Sequence, residues 1–186
     1  MTTFATTALE RALFLFDNPN FYKNIKYANL YMGHLNYTTL AHNLAMGRTV
    51  IEVIVFTSPT DQKTDAINYA NQQKFFNALT ANGVTLRLGR LVPRQKKCDG
   101  CGKITPIKIE KSVDVQIALE MLVRDDYDVL YLASCDSDLR PAILHIRNKG
   151  KRVFLIKPIG SSCAGVGSVC NVTIPIEQKH LDAAQV

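Results

Sequence analysis

The sequence predicts an α/β fold of three layers, α/β/α, around a mainly parallel central sheet. Three observations carry this reading. Short apolar runs rich in β-branched residues alternate with helix-period stretches at the spacing of βαβ units. The run TVIEVIVFTS and the core of YDVLYLAS are apolar nearly throughout, as strands covered by helices on both faces are. Turn chemistry, not another apolar run, separates each strand from the helix after it, and no internal repeat interrupts the order.

RALFLFD, residues 11–17, is the first strand, and DNPN after it reads as a turn. Residues 23–46 read mostly as helix, anchored by Ile25, Leu30, Leu35, Leu40 and Leu44; Gly33 weakens the middle, so two shorter helices also fit. Residues 49–58 are a buried strand, followed by a helix over 65–81 that Asn82-Gly83 stops. VTLRLGRL, residues 84–91, alternates like a strand open on one face. PRQKKCDGCGKITP is a compact excursion, and IKIE a short strand or ribbon arm. SVDVQIALEMLVRD is a helix with Val113, Ile117 and Met121 on one face and Ala118 and Leu122 beside it. The strand YDVLYLAS leads to the helix DLRPAILHIRNKG, closed by Gly150, and KRVFLIKP is the next strand. GSSCAGVGSVC reads as loop and NVTIPI as an edge strand.

This is one domain over residues 1–186, with a basic, cysteine-containing insertion at 93–106 and a loop-rich C-terminal segment at 157–186. With 47% apolar and 20% charged residues the chain is globular rather than disordered. No apolar run approaches the roughly 20 residues of a membrane span, so no membrane role is expected. MTTFATTALERALFLF lacks a cationic start and a small-residue cleavage site, and reads as the entry to the first strand rather than a signal peptide. A cytoplasmic setting follows, in which the five cysteines stay mostly reduced.

The net charge is +6, and the segment from Arg87 to Lys111 carries all of it. Eight basic residues stand there against Asp99 and Glu110 only. So concentrated a charge favours a polyanionic partner by attraction to phosphates, with Arg94, Lys96, Lys97, Lys103 and Lys111 as contacts to a nucleic-acid backbone. A solvated loop with solubilising lysines explains the same charge, and no aromatic residues interleave to suggest base stacking.

Ligand sites of parallel sheets lie at the C-terminal strand ends. Asp17 closes the first strand, Asp136 and Asp138 follow the strand ending at Ala133, and Asp114 opens a helix near the same edge. Each has an ordinary explanation as a turn or helix-start residue. Together, carboxylates crowded at one edge repel unless a cation neutralises them, and an all-oxygen set suits Mg²⁺ or Mn²⁺ better than zinc. Such an ion, with a basic approach, fits phosphodiester hydrolysis: it polarises the phosphate and lowers the pKa of an attacking water. Asn18, Asn20 and Ser134 can orient that water or a phosphate oxygen.

LFLFDNPNFY, KSVDVQIALEML and LYLASCDSDLRPAILHIRNKGKRV together resemble the NYN domains of the LabA-like group, a branch of the PIN-like nuclease superfamily. The resemblance spans about residues 12–155. It implies a PIN-like fold and a Mg²⁺- or Mn²⁺-dependent ribonuclease site. The metal-binding acids would be Asp17, Asp114, Asp136 and Asp138, with Asn18, Asn20 and Ser134 in support. Cys135 replaces the glycine usual between the serine and the first aspartate, Leu139 replaces the usual phenylalanine, and Glu120 keeps an acid common on the helix. Three functions are therefore carried forward: the ribonuclease, a non-catalytic nucleic-acid-binding or regulatory domain, and a phosphohydrolase of a small phosphorylated substrate.

Cys98 and Cys101 in CDGCG have metal-knuckle spacing and suit a structural zinc. Four ligands are wanted; Cys163 and Cys170 lie downstream at an unusual spacing, and the same knuckle of a second subunit would also complete the set, making a homodimer. A disulfide or free thiols are the alternatives. Cys98 does not open a helix, which argues against a thioredoxin-like role. GVGS at Gly165 lacks the context of a dinucleotide or phosphate loop. His34 and His42 read as helix-surface residues, His145 as a core or surface residue, and Tyr22, Tyr27, Tyr31 and Tyr37 as half-buried packing.

Overall fold

A computed structural model describes residues 9–185. The N-terminal reading, as it concerns residues 1–8, lies outside them. Six strands form one parallel sheet: β1 (Arg11–Asp17), β2 (Thr49–Thr57), β3 (Thr85–Leu88), β6 (Val129–Ala133), β7 (Arg152–Pro158) and β8 (Val172–Ile176), in the order β3-β2-β1-β6-β7-β8. The chain builds outward from β1 to β3, then returns to the other side of β1 with β6. The strand order thus reverses between β1 and β6, where parallel sheets open their ligand crevice.

β1 shows why the sheet needs two covering layers. Ala12, Phe14 and Phe16 enter one core, and Leu13 and Leu15 the other. The first core is closed by α1 (Asn18–Tyr27), α2 (Tyr37–Leu44), Leu79 of α3 (Ala66–Ala81) and Leu181 of α7 (Gln178–Asp182). The second is closed by α4 (Val113–Val123), α5 (Arg140–Asn148) and α6 (Ala164–Gly167). Phe14 stacks on Tyr131 of β6 at 4.2 Å between ring centroids. The three-layer α/β/α expectation therefore holds, and the sheet is wholly parallel.

Four local expectations change. DNPN is not a turn: Asp17 caps α1, its carboxylate accepting from the Asn20 N–H, and Pro19 occupies the first turn, where a missing N–H costs nothing. Of the two readings of the helical stretch, the two shorter helices hold: α1 and α2 are separated around residues 28–36, with Asn29 and Gly33 at positive φ. The insertion is larger than 93–106: β4 (Arg90–Lys97) and β5 (Ile104–Lys111) pair antiparallel along their whole length as a separate ribbon. The C-terminal segment holds β8, α6 and α7 instead of being mainly loop. Tyr22, Tyr27 and Tyr31 are exposed, with Lys26 over the Tyr22 ring and Lys23 over Tyr27, so only Tyr37 packs in the core.

Gly89 links β3 to the ribbon, and a Cβ there would lie 2.6 Å from Ser58 Oγ and 2.9 Å from the Lys111 carbonyl oxygen. Only glycine lets the two ribbon roots approach β2 this closely. Among the described residues no helix is long and apolar enough to cross a membrane.

Candidate metal centre

The strand ends assemble the site from residues distant in sequence. Phe16 pairs with Ala133, so Asp17 and Ser134 leave β1 and β6 side by side. Ser134, 1% exposed, donates its hydroxyl to Asp17 Oδ2 at 2.7 Å and accepts the Asp136 N–H at 3.2 Å. Asn20 ties the same two loops together, its Oδ1 accepting the Cys135 N–H at 2.9 Å and the Asn24 amide at 2.9 Å. Asn18 Oδ1 accepts the Tyr37 hydroxyl, which fixes its amide beside Asp17. The sequence-predicted Asp17, Asn20, Ser134 and Asp136 are thus one connected group, while Asn18 is bonded to Tyr37.

Asp136 has a second task. Its Oδ1 accepts the Asp138 N–H at 2.9 Å and caps the 3₁₀ turn at Ser137–Leu139 that leads into α5. Asp136 thus caps the turn, and Asp138 is the acidic residue within it, as its place before the helix leads one to expect. Asp138 itself is exposed, as is Asp114 in the first turn of α4. Glu120 binds Arg124 one turn on, at 3.2 Å, and holds the helix surface instead of the strand ends.

Glu110 is the residue that sequence reasoning missed, having counted it only against the basic charge. It stands half-buried near the end of β5, where its charge acts on Asp17 and that of Asp114 acts on it. Burial raises its carboxyl above the usual range, the neighbouring Ser58 hydroxyl opposes the rise, and the Asp114 charge adds to it. Asp17 is pushed up to about 6, chiefly by burial; the bonds from Ser134 and Asn20 oppose this, and the charges of Glu110 and Asp136 reinforce it. The only hint in sequence was its place four residues before Asp114, and no pattern rule attaches a function to that spacing.

The donor set is oxygen-only and negatively charged, which fits Mg²⁺ or Mn²⁺. Among the described residues no three side chains of His, Cys, Asp or Glu already converge as a ligand cage. Asp17, Asp136 and Glu110 are the acids that sense one another or their neighbours; Asp114 joins through Glu110, and Asp138 only through its backbone.

Cys135 lies inside this group, and a disulfide joins it to Cys163, just before α6. The expectation of reduced cysteines is corrected for this pair. The same bond rules out Cys163 as a partner for the knuckle: both sulfurs belong to the second core, while Cys98 and Cys101 are exposed on the ribbon. Cys170 also packs against the second core, where burial pushes its thiol up to about 11. His34, His42 and His145 are exposed and outside the site.

A profile of the NYN domain matches residues 12–177, and the chain belongs to that family. Among solved structures, a protein of unknown function from Vibrio parahaemolyticus superposes with a TM-score of 0.67 at 19% identity, over 94% of this chain and 97% of that one. That likeness supports the α/β fold of a parallel sheet flanked by helices. A structure from Parabacteroides merdae reaches a TM-score of only 0.29 at 13% identity, over 90% of this chain and 32% of that one, too little to bear on the fold. No curated protein matches the sequence.

Proposed function

We propose that the chain is a Mg²⁺- or Mn²⁺-dependent ribonuclease of the LabA-like group, acting on RNA in the cytoplasm. The observation that carries this reading is Asp17: a buried carboxylate at the sheet's switch point, bonded to Ser134 of the neighbouring strand end, where the charges of Glu110 and Asp136 add to the effect of burial. Like charges gathered at one point are relieved by a cation. Asp17, Asp136 and Glu110 would hold it, with Asp114 and Asp138 at the margin. The bound ion would supply Lewis acidity toward a phosphate oxygen. Ser134 keeps Asp17 oriented by donating to Oδ2 and keeps the Asp136 backbone in place by accepting its N–H. Asn20 locks the two loops at their closest point.

The ribbon supports RNA as the partner. Arg90, Val92, Arg94 and Lys96 alternate onto one face with Lys111, Ile109, Ile107 and Thr105 opposite them. Its root is beside Glu110 and its outer part is exposed, so Arg94, Lys96, Lys97, Lys103 and Lys111 form a charged approach to the strand ends.

A second reading, an RNA-binding domain without cleavage, is favoured by the exposure of Asp114 and Asp138 and by Cys135 beside Asp136. Cleavage of single-stranded RNA in Mn²⁺ by the wild type, lost in Asp136→Asn with RNA binding kept, would establish the enzyme. Retained RNA binding with no cleavage in Mn²⁺ would establish the binding domain. Hydrolysis of small phosphomonoesters without RNA binding would support a phosphohydrolase instead.

A further inference from the structure

The ribbon ends in a feature the proposed ribonuclease does not use. Residues 93–106 are all exposed, so the tip stands clear of the domain. The eight residues of β4 extend it by about 25 Å. At the tip the chain reverses tightly: Lys103 O accepts the Cys98 N–H at 2.8 Å, Cys98 O accepts the Gly102 N–H at 2.9 Å, and Gly102 takes φ +71°. This turn sets Cys98 and Cys101 on one tight reversal, three residues apart, with both thiols free and exposed. Two thiols so spaced on a turn are half of the ligand set of a thiolate zinc site.

Two ligands are present where a structural zinc takes four. Among the described residues no third His, Cys, Asp or Glu completes the set. Cys163 and Cys170 are held in the domain's second core, out of reach of an exposed tip. We propose that Cys98 and Cys101 form half of a tetrathiolate zinc site, completed by the same two residues of a second copy of this chain, so that the ribbons join two domains tip to tip.

Charge supports that partner. On binding one Zn²⁺, four thiols would release four protons to solvent and leave a centre of charge −2. Lys96, Lys97 and Lys103 flank the knuckle on each copy. The same lysines would repel a second tip in the absence of the anionic centre, so pairing and metal binding reinforce each other. Ile104, 57% exposed next to Lys103, gives each tip an apolar residue to bury at the junction. The geometry is independent of the carboxylate site, and so is its test.

Cobalt(II) titrated into the reduced, metal-free chain should give sulfur-to-cobalt absorption with tetrahedral band intensities, saturating at about one ion per two chains. Zinc titrated in its place should convert monomer to dimer in sedimentation at the same ratio. Cys98→Ser with Cys101→Ser should abolish both while far-UV circular dichroism is unchanged, and Asp17→Asn should alter neither. Saturation at one ion per monomeric chain would overturn the proposal. So would uptake or dimerisation that survives the double substitution, or no sulfur-to-cobalt band at all.

Discussion

Asp17 concentrates the tension of the site in one side chain. It caps α1, accepts from Ser134, and is buried among other acids. Asparagine keeps the cap and an acceptor while removing the charge. Asp17→Asn should therefore stabilise the metal-free fold by about 1 kcal/mol, raising Tm by roughly 2–4 °C. Calorimetric Mn²⁺ binding should be lost in the same variant. A Tm that falls instead would make Asp17 chiefly structural. Glu110→Gln should weaken Mn²⁺ binding as well, which separates a member of the site from a bystander of the ribbon. Glu110 was illegible in the sequence because its position depends on eight cross-strand pairs outside the main sheet, and such register is not written in periodicity.

At the scale of elements, the helix and strand runs were legible wherever burial imposes a period. Val113, Ile117 and Met121 are fully within the second core, as their spacing predicts. Of the ribbon only the IKIE arm was legible. The ribbon's apolar residues are interrupted by charged ones on both faces, and Pro93 and Pro106 sit within its strands, which local rules read as loop. Exposed lysines there add nothing to the core, so Lys96→Glu with Lys97→Glu should leave Tm unchanged. It should weaken single-stranded RNA binding roughly tenfold and reduce the slope of log affinity against log salt by about 1–2. An unchanged slope would remove the ribbon from the RNA path. Glu52 on β2 holds the opposite end of α4 through Arg124. Burial would raise the Glu52 carboxyl, but the Thr85 hydroxyl and Arg124 outweigh it, and its pKa is lowered. A lowered folded value means the stabilisation is complete above the unfolded value of about 4.3 and fades as pH falls through the folded one. Glu52→Gln should flatten the acid limb of a stability-against-pH curve and leave Asp17 chemistry untouched.

The whole molecule is organised by β1, the one strand whose neighbours are β2 and β6. Phe14 is fully buried there and stacks on Tyr131, and Phe14→Ala should cost about 3–5 kcal/mol in urea unfolding. A much smaller loss would mean that the first core can collapse around the gap. The three-layer architecture was legible because five apolar residues in a row can be hidden only between two layers. The meeting of Asp17 and Ser134 was legible from the rule that parallel strands end on one edge, but the Cys135–Cys163 bond was not, since 28 residues separate its ends and only the path of β7 brings them back.

The bond from Ser134 to Asp17 spans 117 residues of chain. During synthesis, a polypeptide that has emerged only as far as α4 already carries the ribbon's lysines but has no hydroxyl to seat Asp17 and no Asp136 beside it. This corner can form only after β6 has docked on β1, late in the vectorial order of translation. A nascent chain would thus present its basic segment to messenger and ribosomal RNA well before the proposed site is assembled.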